Sequence, residues 1–353
     1  MDIKEYKMCD IISFKTGIDK NNINSFNSIN SLPWIKLGNI NEHNVNYDSC
    51  EYLSDTKNIV IKGDILLVWS CDIGKSIIIN DKSLFSTAFY KLVPKKDNIY
   101  LNKYIHYFFI KNKKEIGSLG NGSVLKKANM KILGNFILKL PNISVQQSII
   151  DIIEPFEILV ESVLKKIRIN LKITELIINN FYSKNGLFKE NEIEFFKGIN
   201  FKKEMISENN SDILFINVSA INDKPNKFIK LEYINMVNVF EGDVILSLDG
   251  NTGLVNNCLK GINGYGYKIA SDKIKNSQIY YSLLSKINQD IINQNSFGTT
   301  IQHASKSKDK IILLNFGENQ KILDIFFDLE IIYKKKVKLL KKIISSLIEI
   351  YTR

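Results

Sequence analysis

The chain of 353 residues is poor in histidine, cysteine and proline, with three, four and five of them. The cysteines form no Cys-x-x-Cys pair and have no histidine at a metal-ligand spacing, so we expect free thiols and no metal site. No proline is followed by a second proline, which excludes a Pro-Pro-aromatic methyltransferase motif. His43 and His106 have no acid or nucleophile at a recognisable spacing, so the sequence predicts a protein that is not an enzyme by itself.

Long apolar segments are also absent. The first residues contain no apolar core of a signal peptide, and no uncharged apolar run reaches about 18 residues, so we expect a cytoplasmic protein. Gly74-Lys75-Ser76 resembles the end of a phosphate-binding loop. Trp69 stands where that motif needs its first glycine, so we expect no nucleotide site.

Positive charge is in excess, and the net charge is +11 at pH 7. Such an excess indicates binding to a polyanion if the lysines gather on one face. Lysine is abundant throughout the chain, however, and a run such as Lys334-Lys-Lys is typical of a solvated helix face. Charge alone therefore leaves both interpretations open.

The chain contains an internal repeat. Ile61-Lys-Gly-Asp-Ile-Leu-Leu returns about 179 residues later as Phe240-Glu-Gly-Asp-Val-Ile-Leu, and each copy is followed by a glycine-containing turn. Further pairs recur in the same order: Tyr90-Lys91 with Tyr267-Lys268, Gly122-Ser123 with Gly298-Thr299, and Gln147 with Gln320. A period of this length is too long for a solenoid repeat, so it predicts two pseudo-symmetric globular domains.

Each copy ends in a long amphipathic segment whose mainly apolar seam positions follow steps of four and three, with one four-four step in the second copy, which is typical of a coiled coil. The first seam comprises Ile149, Ile153, Phe156, Val160, Val163, Ile167, Asn170, Thr174, Ile177 and Phe181. The second comprises Ile322, Phe326, Leu329, Tyr333, Val337, Leu340, Ile344, Leu347 and Tyr351. Two stripes of similar length most simply bury each other, and an antiparallel pair would form a spacer about 50 Å long. Pro155 marks either the true start of the first helix or a kink.

These patterns predict an α+β protein, with two pseudo-symmetric mixed α/β domains separated by two long antiparallel coiled-coil helices. The predicted boundaries are 1–144 for the first domain, 145–182 for the first helix, 183–316 for the second domain and 317–353 for the second helix. Our candidates for the helix seam or a partner-binding surface are Ile153, Val160, Ile167, Asn170, Leu329, Val337, Leu340 and Ile344.

The repeated motifs resemble those of the specificity subunits of type I restriction-modification enzymes. The resemblance rests on the Gly-Asp strand with its turn, and on a later Gly-Ser or Gly-Thr that precedes a glutamine opening a long helix. It covers nearly the whole chain, with Gly298-Thr-Thr-Ile-Gln-His as the closest instance. The first copy departs from the pattern because Lys126-Lys127 replace the Gln-His pair, and the second because Asn315-Phe316 replace the proline before its helix.

The resemblance implies a non-catalytic subunit that reads a split site in double-stranded DNA with one target-recognition domain per half-site. It also implies that two methyltransferase subunits dock on the helices, that restriction and motor subunits attach through them, and that S-adenosylmethionine, ATP and magnesium belong to these partners. Two alternatives stay open. One is a type IIB-like system with a fused restriction-methylation partner, and the other is a coiled-coil adaptor that binds only proteins.

Three sets of residues are candidates for DNA contact. The first lies in the turns after the Gly-Asp strands: Ser70, Asp72, Lys75, Ser76, Asp249, Asn251 and Thr252. The second lies in the Gly-Ser and Gly-Thr loops: Ser123, Lys126, Lys127, Thr299, Thr300, Gln302 and His303. The third comprises Lys91, Tyr265, Tyr267 and Lys268. Glutamine can read adenine and lysine can bind guanine or phosphate, whereas the same turns can also serve only as hairpins.

Overall fold

The fold was analysed in a computed structural model, which describes residues 3–20, 31–41, 44–54, 58–96, 99–121, 126–181, 187–188, 193–200, 202–207, 209, 212–298 and 302–352. It separates into two compact units. The first comprises Met1–Leu159 and Leu340–Arg353, and the second comprises Val160–Leu339. Each unit thus contains one globular domain and a part of both long helices.

The first unit contains many short strands, most of which precede its helices along the chain. Its strands are β1 (Ile3–Lys7), β2 (Ile12–Thr16), β3 (Leu32–Ile35), β4 (Ile40–Asn41), β5 (Asn44–Val45), β6 (Glu51–Leu53), β7 (Ile59–Val60), β8 (Ile65–Val68), β9 (Ser76–Ile78), β10 (Ser83–Phe85), β11 (Phe89–Pro94) and β12 (Ile137–Pro141). Its helices are α1 (Met8–Ile11), α2 (Asn102–Lys111), α3 (Lys113–Ser118), α4 (Met130–Gly134) and the first part of α5 (Ile143–Phe181).

Two four-stranded sheets form the first domain, in the orders β2-β11-β8-β9 and β6-β3-β10-β7. The first sheet is antiparallel, whereas the second contains the parallel pair β3–β10. All four residues of β8 are buried because its two faces serve different cores. Ile65 and Leu67 pack with the helices, and Leu66 and Val68 pack with the second sheet. This explains the uninterrupted apolar run in the sequence.

The second unit repeats this arrangement with different lengths. Its strands are β13 (Leu187–Phe188), β14 (Glu194–Lys197), β15 (Ile206–Ser207), β16 (Ile213–Ile216), β17 (Phe228–Ile229), β18 (Val244–Leu246), β19 (Asp249–Gly250), β20 (Val255–Asn256), β21 (Ile262–Asn263), β22 (Tyr267–Ala270), β23 (Gln302–His303) and β24 (Leu313–Leu314). Its helices are the end of α5, α6 (Val218–Ile221), α7 (Asn276–Leu284), α8 (Lys286–Gln294) and the first part of α9 (Gln320–Tyr351).

The two domains share the order of the first sheet and a three-stranded part of the second, in which β17-β16-β21 corresponds to β6-β3-β10, whereas the fourth strand of the second sheet lies at opposite edges. The sheet β14-β22-β18-β20 corresponds to β2-β11-β8-β9, and β15-β17-β16-β21 again contains one parallel pair, β16–β21. Helices α7 and α8 follow each other directly, and the extended backbone of Ser285 separates them.

The repeated Gly-Asp motif stabilises the same hairpin in both domains. Gly63 and Gly242 have φ values of 90° and 95°, which favour glycine. Asp64 accepts hydrogen bonds from the backbone of Ile61 at 2.8 Å and from Lys91 Nζ at 2.5 Å. In the second domain, Asp243 accepts the equivalent bonds from Phe240 at 2.8 Å and from Lys268 Nζ at 2.7 Å. The Gly-Asp motif, which is the strongest sequence signal of the repeat, therefore serves to stabilise the fold.

The two long helices are paired within each unit. In the first unit, residues near Ile149 and Ile153 of α5 share a core with Ile344 and Ile348 of α9. In the second unit, the end of α5 shares a core with the start of α9, through residues such as Ile178. This is the order of antiparallel helices, as predicted. Pro155 lies inside α5, which begins at Ile143.

The predicted seam is largely buried. Ile153, Val160, Ile167, Val337 and Leu340 are buried, and Asn170, Leu329 and Ile344 are half-buried. 

The seam prediction fails at the start of α9. Ile322 is 43% exposed, while Leu323 and Phe327 are buried against the second domain. The helix turns these two residues toward the domain core, which the coiled-coil spacing does not anticipate. Among the described residues, no helix is long and apolar enough to span a bilayer.

Candidate nucleic-acid interface

In the first domain, the turn after β8 lies beside the segment that follows the Gly-Ser loop. The backbone of Cys71 donates to Lys126 O at 3.1 Å, and Ala128 donates to Trp69 O at 2.9 Å. Ser70 forms an antiparallel bridge with Lys127. Lys127 in turn exchanges two backbone hydrogen bonds of 3.0 Å with Asn121. Two candidate sets that are far apart in the sequence therefore meet at one surface.

The second domain forms the same frame. Strand β19 pairs with β23, so that Asp249 lies opposite His303 and Gly250 lies opposite Gln302. His303 also exchanges two backbone hydrogen bonds with Phe297, of 3.1 and 2.9 Å. We call each set of three bridged residues a platform. The first platform comprises Ser70, Lys127 and Asn121, and the second comprises Asp249, His303 and Phe297.

Glycines shape the turns beside both platforms. Gly74 and Gly253 have φ values of 85° and 84°, and their backbone N–H groups donate to Val68 O and Ser247 O at 3.0 and 2.8 Å. A Cβ at Gly253 would lie 2.7 Å from Gln289 Oε1. The positive φ therefore favours glycine at this turn position in both domains.

Lysines dominate the surroundings of the first platform. Lys126 and Lys127 are exposed, and Lys127 Nζ lies 5.8 Å from the centre of the Trp69 ring. Asp72 forms ion pairs with Lys113 at 2.7 Å and with Lys75 at 3.6 Å. Within this group, four lysines face one carboxylate, so the surface favours an anionic ligand.

The second platform carries mainly groups that form directional hydrogen bonds. His303 Nδ1 donates to Asp249 Oδ1 at 2.7 Å, because a carboxylate can only accept, and this contact orients the ring. Thr252 and Ser296 share a hydrogen bond of 3.1 Å between their hydroxyls. The side chains of Asn251 and Gln302 are exposed. Such amides present a donor and an acceptor side by side.

Four predicted contact residues serve the fold instead. Ser76 is 1% exposed, and its hydroxyl lies 2.9 Å from His106 Nδ1. Tyr267 is 5% exposed. Lys91 and Lys268 form the internal ion pairs with Asp64 and Asp243 described above. We remove these four from the candidate interface, because buried or internally paired side chains offer little surface to a ligand.

The remaining predicted residues are not all placed at the platforms. Tyr265 is 52% exposed and packs edge-on against Phe215, with ring centres 5.8 Å apart. Its backbone donates to Ile216 O at the end of β16, at 3.2 Å. Ser123, Thr299 and Thr300 lie outside the described residues.

The sequence reasoning missed two platform residues, Asn121 and Phe297. They stand immediately before the repeated Gly122 and Gly298, so the repeat itself marked their position. Asparagine and phenylalanine are chemically unlike, so the sequence alone did not show that the two positions are equivalent. The part of the chain that the structure describes has no cluster of three or more histidine, cysteine, aspartate or glutamate residues placed to hold a metal ion.

The two domains thus carry different side chains on an equivalent backbone frame. Residues 1–174 match the family model described as the Type I restriction modification DNA specificity domain. This match covers just under half of the 353 residues.

Two known proteins are also similar to this chain. The chain is 25% identical over 196 residues to the Type I restriction enzyme MjaVIII specificity subunit of Methanocaldococcus jannaschii. The match covers 52% of this chain and 44% of that protein, so it spans less than half of the relative's length. The crystal structure of the Type-I restriction-modification system S subunit from M. genitalium has a TM-score of 0.55 at 14% identity, covering 99% of this chain and 94% of that one. The second comparison shows a shared fold.

Proposed function

We propose that this chain is the DNA-recognition subunit of a type I restriction-modification assembly and that it reads a DNA site in two parts. The observation that carries the proposal is the platform, which is built twice on the same backbone frame with different side chains. Identical frames explain how both domains approach DNA in the same way. Different side chains explain how each domain reads its own half-site.

The exposed groups of the platforms fit the chemistry of the major groove. The Gln302 amide matches the N6 and N7 atoms of adenine, and the Lys127 ammonium matches the acceptors of guanine. We assign to Lys126 and Lys113, beside the first platform, phosphate contacts that fix the register of the domain. The net charge of +11 supports this assignment, because much of the affinity for DNA arises from phosphate neutralisation.

The long helices supply a surface for partner proteins. Apolar side chains on their outer faces are 54 to 63% exposed, although the seam residues of the same helices are buried: Ile158, Leu176, Ile325, Ile332, Leu339 and Ile350. We assign this surface to two methyltransferase subunits, through which restriction subunits attach. S-adenosylmethionine, ATP and magnesium then act on those partners, and this chain contributes specificity without catalysis.

A thiol-protection experiment tests DNA contact at the first platform. Cys71 is exposed in the turn between Ser70 and Asp72. In a variant whose other three cysteines are serine, bound DNA should slow alkylation of Cys71 at least about tenfold. A matched control carries Cys71→Ser with Lys139→Cys on β12, where the wild-type side chain is 60% exposed, and its alkylation should not change with DNA. Equal rates for Cys71 with and without DNA would contradict the proposal.

A second experiment separates the proposal from a protein-only adaptor. The complex purified from the native host should retard DNA in a gel shift and should prefer a subset of sequences in a random pool. An adaptor would show no such preference. Mass spectrometry of the same complex then shows whether methylation and restriction activities reside on separate partner chains or on one fused chain.

A further inference from the structure

We infer that Phe297 reads the C5-methyl group of a thymine in the half-site recognised by the second domain. The inference rests on the proposed function and assigns a base-reading role to a residue of the second platform. Phe297 is 53% exposed, although phenylalanine is usually buried. A single exposed ring is common on protein surfaces, so the inference depends on where this ring is held.

The backbone fixes the position of Phe297. Its two hydrogen bonds to His303, of 3.1 and 2.9 Å, make it the outer member of the second platform. The His303 ring lies 5.9 Å from the Phe297 ring and is held from the other side by Asp249 at 2.7 Å. The three residues form a row in the order Asp249, His303, Phe297. The exposed Phe297 ring therefore lies beside polar side chains that can form hydrogen bonds with base edges.

Charge favours the approach of DNA to this ring. Lys306 Nζ lies 5.8 Å from the centre of the Phe297 ring, and the Lys306 side chain is exposed. An ammonium beside an exposed ring suits a phosphate next to a base contact. A phenyl ring has no hydrogen-bonding group, so in the major groove it discriminates between bases through the thymine methyl group.

The first domain provides an internal comparison. Asn121 occupies the equivalent position, with two backbone hydrogen bonds of 3.0 Å to Lys127. Its amide has the donor and acceptor that match adenine. One frame position thus carries an apolar reader in one domain and a polar reader in the other, as two different half-sites require.

Replacement of thymine by deoxyuridine tests the contact, because it removes only the methyl group. The full chain, in complex with its methyltransferase partner, is first used to select its preferred duplex from a random pool. Each thymine of that duplex is then replaced singly by deoxyuridine. At one position, wild-type affinity should fall about fourfold, the factor expected from burying one CH₂ group.

The variant Phe297→Ala should bind the thymine duplex about tenfold more weakly than wild type. It should lose sensitivity to deoxyuridine at that one position and keep its sensitivity elsewhere. Phe240→Ala is the matched control, because Phe240 is also 53% exposed in the same unit, and it should retain the full wild-type pattern.

Two outcomes overturn the inference and leave the proposed function intact. Either no thymine position is coupled to Phe297, or Phe297→Ala weakens binding to every duplex by the same factor, as a wedge between base steps or a structural role would cause. Failure of the wild-type complex to select any sequence would instead count against the proposed function itself.

Discussion

At the scale of single residues, the structure separates side chains that hold the fold from side chains that are free to bind. Lys91 and Lys268 illustrate the distinction. The repeat made both conspicuous in the sequence, and each pairs with the aspartate of its Gly-Asp motif. Both copies of the repeat keep this lysine because both need it to stabilise the same hairpin. We propose that recognition residues lie where the copies share a backbone but differ in chemistry, as at Asn121 and Phe297.

The paired lysines yield a stability prediction. Lys268→Met should lower the free energy of unfolding by about 1–3 kcal/mol, because it leaves the carboxylate of Asp243, only 18% exposed, without its cation. Urea denaturation measures the change. Lys139→Met is the control, because the ion pair of Lys139 with Glu5 is about 60% exposed on both sides and should contribute no more than about 0.5 kcal/mol. Equal effects of the two variants would show that Lys268 is not an internal support.

Gln302 and Lys126 should affect DNA binding in different ways. Gln302→Ala should weaken binding to the preferred sequence about tenfold and leave non-specific binding unchanged, because its amide reads a base edge. Lys126→Ala should weaken binding to all sequences similarly and reduce the salt dependence by about one counterion, because it contacts a phosphate. Fluorescence anisotropy titrations over a series of salt concentrations distinguish the two. An exchange of these two signatures would contradict the assigned roles.

At the scale of secondary structure, the attachment of α9 to the second domain depends on a carboxylate. Burial raises the pKa of Asp324, but the hydrogen bonds from Lys275, Ser277 and Gln320 outweigh it, so the pKa lies below its ordinary value. The contacts are short, at 2.7 Å for Lys275 and 2.6 Å for Ser277. A carboxylate with a lowered folded-state pKa stabilises the fold at neutral pH and loses that contribution as the pH falls through the folded-state value.

Asp324→Asn should therefore destabilise the protein by about 1–2 kcal/mol at pH 7. The difference from wild type should shrink as the pH falls below about 4, where the unfolded carboxyl becomes protonated and the folded one follows. Chemical denaturation at a series of pH values measures both. A difference that does not depend on pH would mean that the side chain acts through its shape and not through its charge.

The helix seam contains a polar layer with a donor that is unpaired in the described part of the chain. Asn170, Thr174 and the buried Glu330 line a small cavity, and Asn170 Nδ2 is buried with no acceptor among the described residues. Asn170→Leu should raise the free energy of unfolding by about 1 kcal/mol, since it removes an unsatisfied donor and adds an apolar contact. Thermal denaturation tests this, with Lys172→Leu on the exposed face as control. A destabilised Asn170→Leu variant would show that the amide has a partner.

The helices and the domain cores differ in how far the sequence predicts them. The seams were predictable because coiled-coil periodicity depends on local spacing alone. Leu323 and Glu330 are buried although neither belongs to the predicted seam, because the second domain packs on that side of α9. Tyr280 donates a hydrogen bond to Glu330 at 3.1 Å. The second sheet of each domain has strands of only two to four residues, such as β7 and β15. Strands this short do not show the alternation of apolar and polar residues by which a strand is recognised in a sequence.

At the scale of the whole molecule, the repeat predicted two domains of one fold, and the sheet orders confirm it. The platforms could not be predicted because each joins segments more than 50 residues apart, through backbone hydrogen bonds that no side-chain pattern records. We propose that the side chains of the platforms determine which bases are read. The long helices add a separate property, the spacing between half-sites, which we propose depends on their length.

This division of roles predicts the effect of lengthening the helices. Insertion of about four residues, one helical turn, into both α5 and α9 should change the number of unread base pairs between the half-sites. Both half-sites should keep their sequences, because the platforms are unchanged. Mapping of methylated adenines in cells that express the lengthened chain measures both features. Altered half-site sequences at an unchanged gap would contradict the separation of reading from spacing.

The most direct test of paired, independent readers is the same mapping with an exchanged platform. Cells that carry the wild-type chain and its methyltransferase partner should methylate adenines within a motif of two blocks separated by unspecified base pairs. The triple variant Ser70→Asp, Asn121→Phe and Lys127→His gives the first platform the side chains of the second. We predict that it changes one block and leaves the other as in wild type. A single uninterrupted motif in wild type, or a change in both blocks, would contradict the account.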